Sequence, residues 1–108
     1  MNKSNLQSAR IRQMERRLVA ATAAVKRLET ALDKYENAQE AITALMGYYG
    51  SDVWRQDLAA DEAGLLPDGL KRGVLSEDGI WNLLTDVHDL NTRLQQLATR
   101  LNRKNTKA

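Results

Sequence analysis

The chain has no cysteine, which excludes disulfide frameworks, thiolate nucleophiles and thiolate-ligated metal centres. It also lacks phenylalanine, and its aromatics are two tryptophans and three tyrosines. A core must therefore come mainly from Leu, Ile, Val, Ala and Met, the vocabulary of helical packing. The single histidine, His88, leaves no histidine-rich metal site within one chain. No stretch approaches the roughly 20 consecutive apolar residues that a membrane-spanning helix needs. The opening residues, Met1 to Gln7, have no apolar run of the kind a signal peptide carries, so cytoplasmic residence is the expectation.

At 108 residues, with 43% apolar and 28% charged residues, the chain has the size and composition of one folded domain. Its net charge of +2 hides an uneven distribution. From Met1 to Arg27, seven basic residues stand against Glu15 alone, a local net of +6. From Leu28 to Leu70 the balance is −7, and from Arg93 to Ala108 it is +5.

One seven-residue repeat dominates the first half. Ile11, Leu18, Val25, Leu32, Gln39 and Met46 form one set, and Met14, Ala21, Leu28, Tyr35, Ile42 and Tyr49 form the other. Their alternating spacings of three and four are the a/d pattern of coiled-coil packing. Ala24, Ala31 and Ala38 recur beside the stripe and would let a neighbouring helix come close. Ser4 and Gln7 have capping-box spacing, no proline intervenes, and Gly47 and Gly50 are the first glycines. The spacing predicts a helix over about 5–49, with Gly50 taking the left-handed position after it.

Ser51, followed by Asp52, predicts a short helix over about 52–62, with Val53, Trp54 and Leu58 as its apolar face. Gly64, Pro67, Gly69 and Gly73 mark 64–75 as a loop. Its Leu65, Leu66, Leu70, Val74 and Leu75 are expected to pack over the helix ends. Ser76 then reads as an N-cap, with Leu75 and Ile80 at the positions of a hydrophobic staple. A third helix is predicted over about 77–103, patterned by Ile80, Val87, Leu94 and Leu101 with Leu83, Leu90 and Leu97, ahead of a basic tail, 104–108.

The expected architecture is thus all-α, a single helical domain over 1–108. It is a long heptad-patterned antiparallel helical hairpin, with a short helix and an ordered loop inserted between the long helices. Helix lengths of roughly 67 Å and 40 Å, at about 1.5 Å per residue, leave the first turns of the long helix without cover inside the chain. Leu6, Ile11, Met14 and Leu18 are expected there as an apolar stripe that pairs with a second copy or another protein. In such a hairpin the two basic segments share one end.

The middle of the chain carries a family resemblance. Tyr48-Tyr49-Gly50-Ser51-Asp52-Val53-Trp54, Ala60 to Gly64, Leu66-Pro67 and Leu70 to Asp78 resemble a bacterial family of small helical proteins, domain-of-unknown-function family 4298. Gly79 departs from the pattern, where a better helix former is expected. The resemblance implies the helical architecture and carries no activity, substrate or catalytic residue.

Candidate sites are few. His88 lies beside the apolar stripe of the third helix and is read as a surface residue. Glu29, Asp33, Glu36 and Glu40 share a helix face, but without Glu-x-x-His motifs they are read as a solvated face rather than a di-metal site. Lys71 and Arg72 precede a helix start, and acidic Asp61, Glu62 and Asp68 nearby suit them better than an anion. Trp54, Trp81, Tyr48 and Tyr49 are read as the core around the insert rather than as a partner surface. The polar Gln39 and Asn91, on the apolar faces, are read as register-setting or edge residues.

The expectation is a non-enzymatic module for protein–protein interaction or self-assembly, without metal, cofactor or membrane. Its candidate interface is Ile11, Met14 and Leu18, flanked by Arg10 and Arg17. The alternative is weak, sequence-independent nucleic-acid binding through Arg12, Arg16, Arg100, Arg103 and Lys104, with Lys107 in the tail. Those residues have no aromatic platform among them and match no nucleic-acid motif.

Overall fold

The computed structural model describes residues 3–105. Helices account for most of them and no strand occurs among them: α1 (Lys3–Tyr48), α2 (Asp52–Glu62), a short 3-10 turn η1 (Gly73–Leu75) and α3 (Gly79–Asn105). The all-α class, the long first helix and the short second helix are as the sequence predicts. Lys107 and the rest of the tail beyond Asn105 lie outside the described residues. The chain divides into two units, Met1–Gln39 and Glu40–Ala108.

The described part of the first unit is α1 alone. The helix is already formed at Lys3, so Ser4 sits within it rather than capping it. Its large aliphatic residues are exposed: Leu6, Ile11, Met14, Leu18, Val25 and Leu28 are each 51–60% exposed, and Leu32 is exposed too, while Tyr35 is half-buried. The stripe found bare thus begins where the sequence places it and runs two heptads further.

The second unit holds all three buried residues among those described: Ile42 near the end of α1, Leu75 in η1 and Ile80 in the first turn of α3. α1 ends as its glycines predict, with Gly50 at φ +77°. The Ser51 hydroxyl donates to the Tyr48 carbonyl at 2.6 Å and accepts the Trp54 N–H at 3.2 Å, tying the end of α1 to the start of α2. Asp52 lies in the first turn of α2, where the helix dipole favours it. Gly64, at φ +71°, follows the end of α2, and the N–H of Leu65 reaches back to the Ala60 carbonyl.

η1 is the junction that α2 and α3 both pack against. The Trp54 indole N–H donates to the Val74 carbonyl at 3.0 Å, and Arg72 pairs with Asp61 at 2.7 Å. Arg72 therefore answers an acidic neighbour, as expected. Of the loop leucines, Leu75 is buried and Leu66 half-buried, while Leu65, Leu70 and Val74 stay exposed. The expected packing of the whole loop is thus carried mostly by one residue. Both staple residues, Leu75 and Ile80, are buried.

α3 begins two residues later than predicted, at Gly79. Ser76 closes η1 first: its N–H and its hydroxyl both reach the Gly73 carbonyl, at 3.2 and 2.7 Å. The same hydroxyl then accepts the Gly79 N–H at 3.0 Å. Glu77 and Asp78 are consumed in this double turn instead of forming a first helical turn. Gly79 is explained by the same crowding. A Cβ there would press into the Gly73 carbonyl oxygen and lie 2.8 Å from the Ser76 hydroxyl.

Candidate functional site

The strongest candidate is the bare heptad face of α1. Ile11, Met14 and Leu18 project from it at intervals of three and four, all more than half exposed. Arg10 and Arg17, one residue before Ile11 and Leu18, flank them and are exposed as well. The arrangement offers apolar contact area with positive charge at its edge. Helix geometry alone holds it in place, because α1 runs unbroken from Lys3 to Tyr48.

Two features of this face were not in the candidate list drawn from sequence. Val25 and Leu28 continue the stripe beyond Leu18 and are more than half exposed as well. Val19 is 67% exposed and lines a shallow depression with Glu15, Arg16 and Ala20. It lies off the a/d positions, so a strict heptad reading passes over it. A wider helical face would have included it.

The basic candidates fall into two groups. Arg12 and Arg16 are on α1 in the first unit, exposed to solvent. Arg100, Arg103 and Lys104 are in the last turns of α3 in the second unit, where they line an open depression with Gln95, Gln96 and Thr99. Basic residues near a helix C-terminus are also favoured by the helix dipole, without any ligand.

The aromatic cluster is smaller than expected. Tyr49 and Trp54 meet edge to face, with ring centroids 5.2 Å apart, and both are half-buried. Tyr48 is half-buried and donates to Asp57 at 2.6 Å. Trp81 does not join them, since 56% of it is exposed. The hydrogen bond to Asp57 raises the Tyr48 pKa above its ordinary value, with partial burial and the Asp57 charge adding in the same direction. This cluster locks α2 to the end of α1. His88 is exposed on α3, and no group of three His, Asp or Glu side chains among the described residues is placed to hold a metal ion.

A family model for a domain of unknown function (DUF4298) matches residues 11–97. The chain belongs to this family. No curated protein and no solved structure matches it. The DUF4298 region takes in Ile11, Met14, Leu18, Val25 and Leu28, together with the whole η1 junction. It stops short of Arg100, Arg103 and Lys104. No helix among the described residues is long and apolar enough to cross a membrane.

Proposed function

We propose that this protein is a non-enzymatic interaction module whose working surface is the apolar stripe of α1. The observation that carries the reading is the run of heptad residues Ile11, Met14, Leu18, Val25 and Leu28, each more than half exposed on a continuous helix. A strict seven-residue repeat is the sequence of a helix that packs on another helix, and exposed apolar faces of this length mark association surfaces. Arg10 and Arg17 occupy the edge positions that select a partner by charge. The stripe from Ile11 onward also falls inside the family region.

The test is retention of a protein, either an untagged copy of the chain or a different one, on tagged wild type and on an Ile11→Asp/Leu18→Asp variant at moderate salt. The expected result is stoichiometric retention on the wild type and loss on the variant. Equal retention on both would overturn the reading.

A second reading, nucleic-acid binding, draws on the exposed Arg100, Arg103 and Lys104 around one depression. It requires affinity to fall steeply with salt, because each neutralised phosphate releases counterions. It also requires loss of binding when Arg16, Arg17, Arg100 and Arg103 are replaced by Ala. An affinity for duplex or single-stranded DNA that hardly changes from low to moderate salt would end it.

A further inference from the structure

We infer that the partner of the α1 stripe is α1 of a second copy of this chain, packed antiparallel. The inference rests on the docking reading and adds the occupant, the direction and the register.

The argument begins with the layers. In an antiparallel pair, each a position of one helix meets a d position of the other. One register fills every layer between residues 11 and 35: Ile11 meets Tyr35 of the second copy, Met14 meets Leu32, Leu18 meets Leu28, and Ala21 meets Val25. The two-fold axis repeats each layer, so eight consecutive layers are apolar or aromatic. The pairing also sets the smallest stripe residue, Ala21, against Val25 rather than against another alanine. A parallel pair would leave an Ala21–Ala21 layer short of volume.

Charge then chooses the direction. Residues 10–17 carry four arginines and Glu15, a net of +3, and residues 29–36 carry Glu29, Asp33 and Glu36 against Lys34, a net of −2. In the antiparallel register these two segments lie side by side, twice over. A parallel pair gains Arg10 against Glu15 of the other copy, but it sets the two arginine-rich segments against each other. Helices in contact are about 10 Å apart, close to one Debye length at moderate salt, so the segment charges are still felt. The like-charge meeting in the antiparallel register is Glu15 with Glu29 of the second copy. There Glu15 is flanked on its own helix by Arg12 and Arg16.

The absence of cysteine makes a direct test clean. The exposed Gln13 is replaced by Cys in the full chain and spin-labelled, and mass is measured by light scattering at tens of micromolar. The expected result is a two-chain mass, with the two labels beyond roughly 30 Å, because position 13 lies level with position 33 of the other copy, about 20 residues along the helix. A two-chain mass with labels within about 20 Å would mean parallel pairing and overturn the inference. A dimer that survives Leu18→Asp would be built elsewhere and would overturn it too. A one-chain mass would remove the second copy as occupant. In that case retention of a different protein on wild type but not on Ile11→Asp/Leu18→Asp would leave the docking reading standing, and equal retention would remove both.

Discussion

Tyr48 shows how one side chain ties stability to pH in the second unit. Its hydroxyl donates to Asp57 at 2.6 Å, which favours the neutral phenol and lifts its pKa above the ordinary 10.0. A group raised on folding contributes stability that is complete below its unfolded pKa and is lost as pH climbs through the folded value. The wild type should therefore be more stable than Tyr48→Phe at pH 8, with a gap that closes as pH rises above 10. Paired thermal melts across that range measure the gap, and a constant difference would show that the hydrogen bond is not what Tyr48 supplies. Sequence position foretold part of this cluster, since Tyr48, Tyr49, Trp54 and Trp81 fall around the insert. It did not separate Trp54, whose indole N–H reaches the Val74 carbonyl, from Trp81, which points to solvent. Both sit in amphipathic helices, and only the path of the intervening loop decides which one finds a partner.

At the scale of elements, helix limits were legible wherever a residue's backbone chemistry enforces them. Gly50 and Gly64 take positive φ and close α1 and α2, and Ser51 caps α2. The start of α3 was misplaced by two residues because Ser76 serves two masters. A lone Ser before two acids reads as a cap, and nothing local reveals that a 3-10 turn has already engaged its N–H and hydroxyl. The same junction gives meaning to Gly79, which looked like a weak helix former and is instead a clearance residue. Substituting Ala for an ordinary helical Gly stabilises by about 1 kcal/mol. Here the added methyl would collide with the Gly73 carbonyl, so Gly79→Ala should destabilise the second unit, by about 1–3 kcal/mol as for other overpacked sites. Chemical denaturation followed by tryptophan fluorescence reads the change, and a gain in midpoint would show that the junction relaxes freely.

For the whole molecule, the all-α class was plain from periodicity, but the cover of the stripe was not. A heptad pattern says that a helix packs on something and is silent on whether that something lies in the same chain. The two units accordingly differ in what holds them. Glu40–Ala108 contains Ile42, Leu75 and Ile80 as a small buried centre, whereas the described part of Met1–Gln39 is a helix whose large aliphatic residues are exposed. A lone helix draws on propensity and local pairs only, which leaves it marginal in water, and most helical stability in proteins comes from packing. If the stripe is buried by association, opening of residues 6–32 must follow mass action, while opening around Ile42, Leu75 and Ile80 need not. Hydrogen exchange at two protein concentrations separates them. Protection in residues 6–32 should rise between about 1 and 100 micromolar, by up to about tenfold, the square root of that concentration ratio, where a dimer forms. Protection near the η1 junction should stay unchanged. Equal, concentration-independent protection in both segments would mean that α1 is held by the chain itself, and the stripe would lose its claim as an association surface.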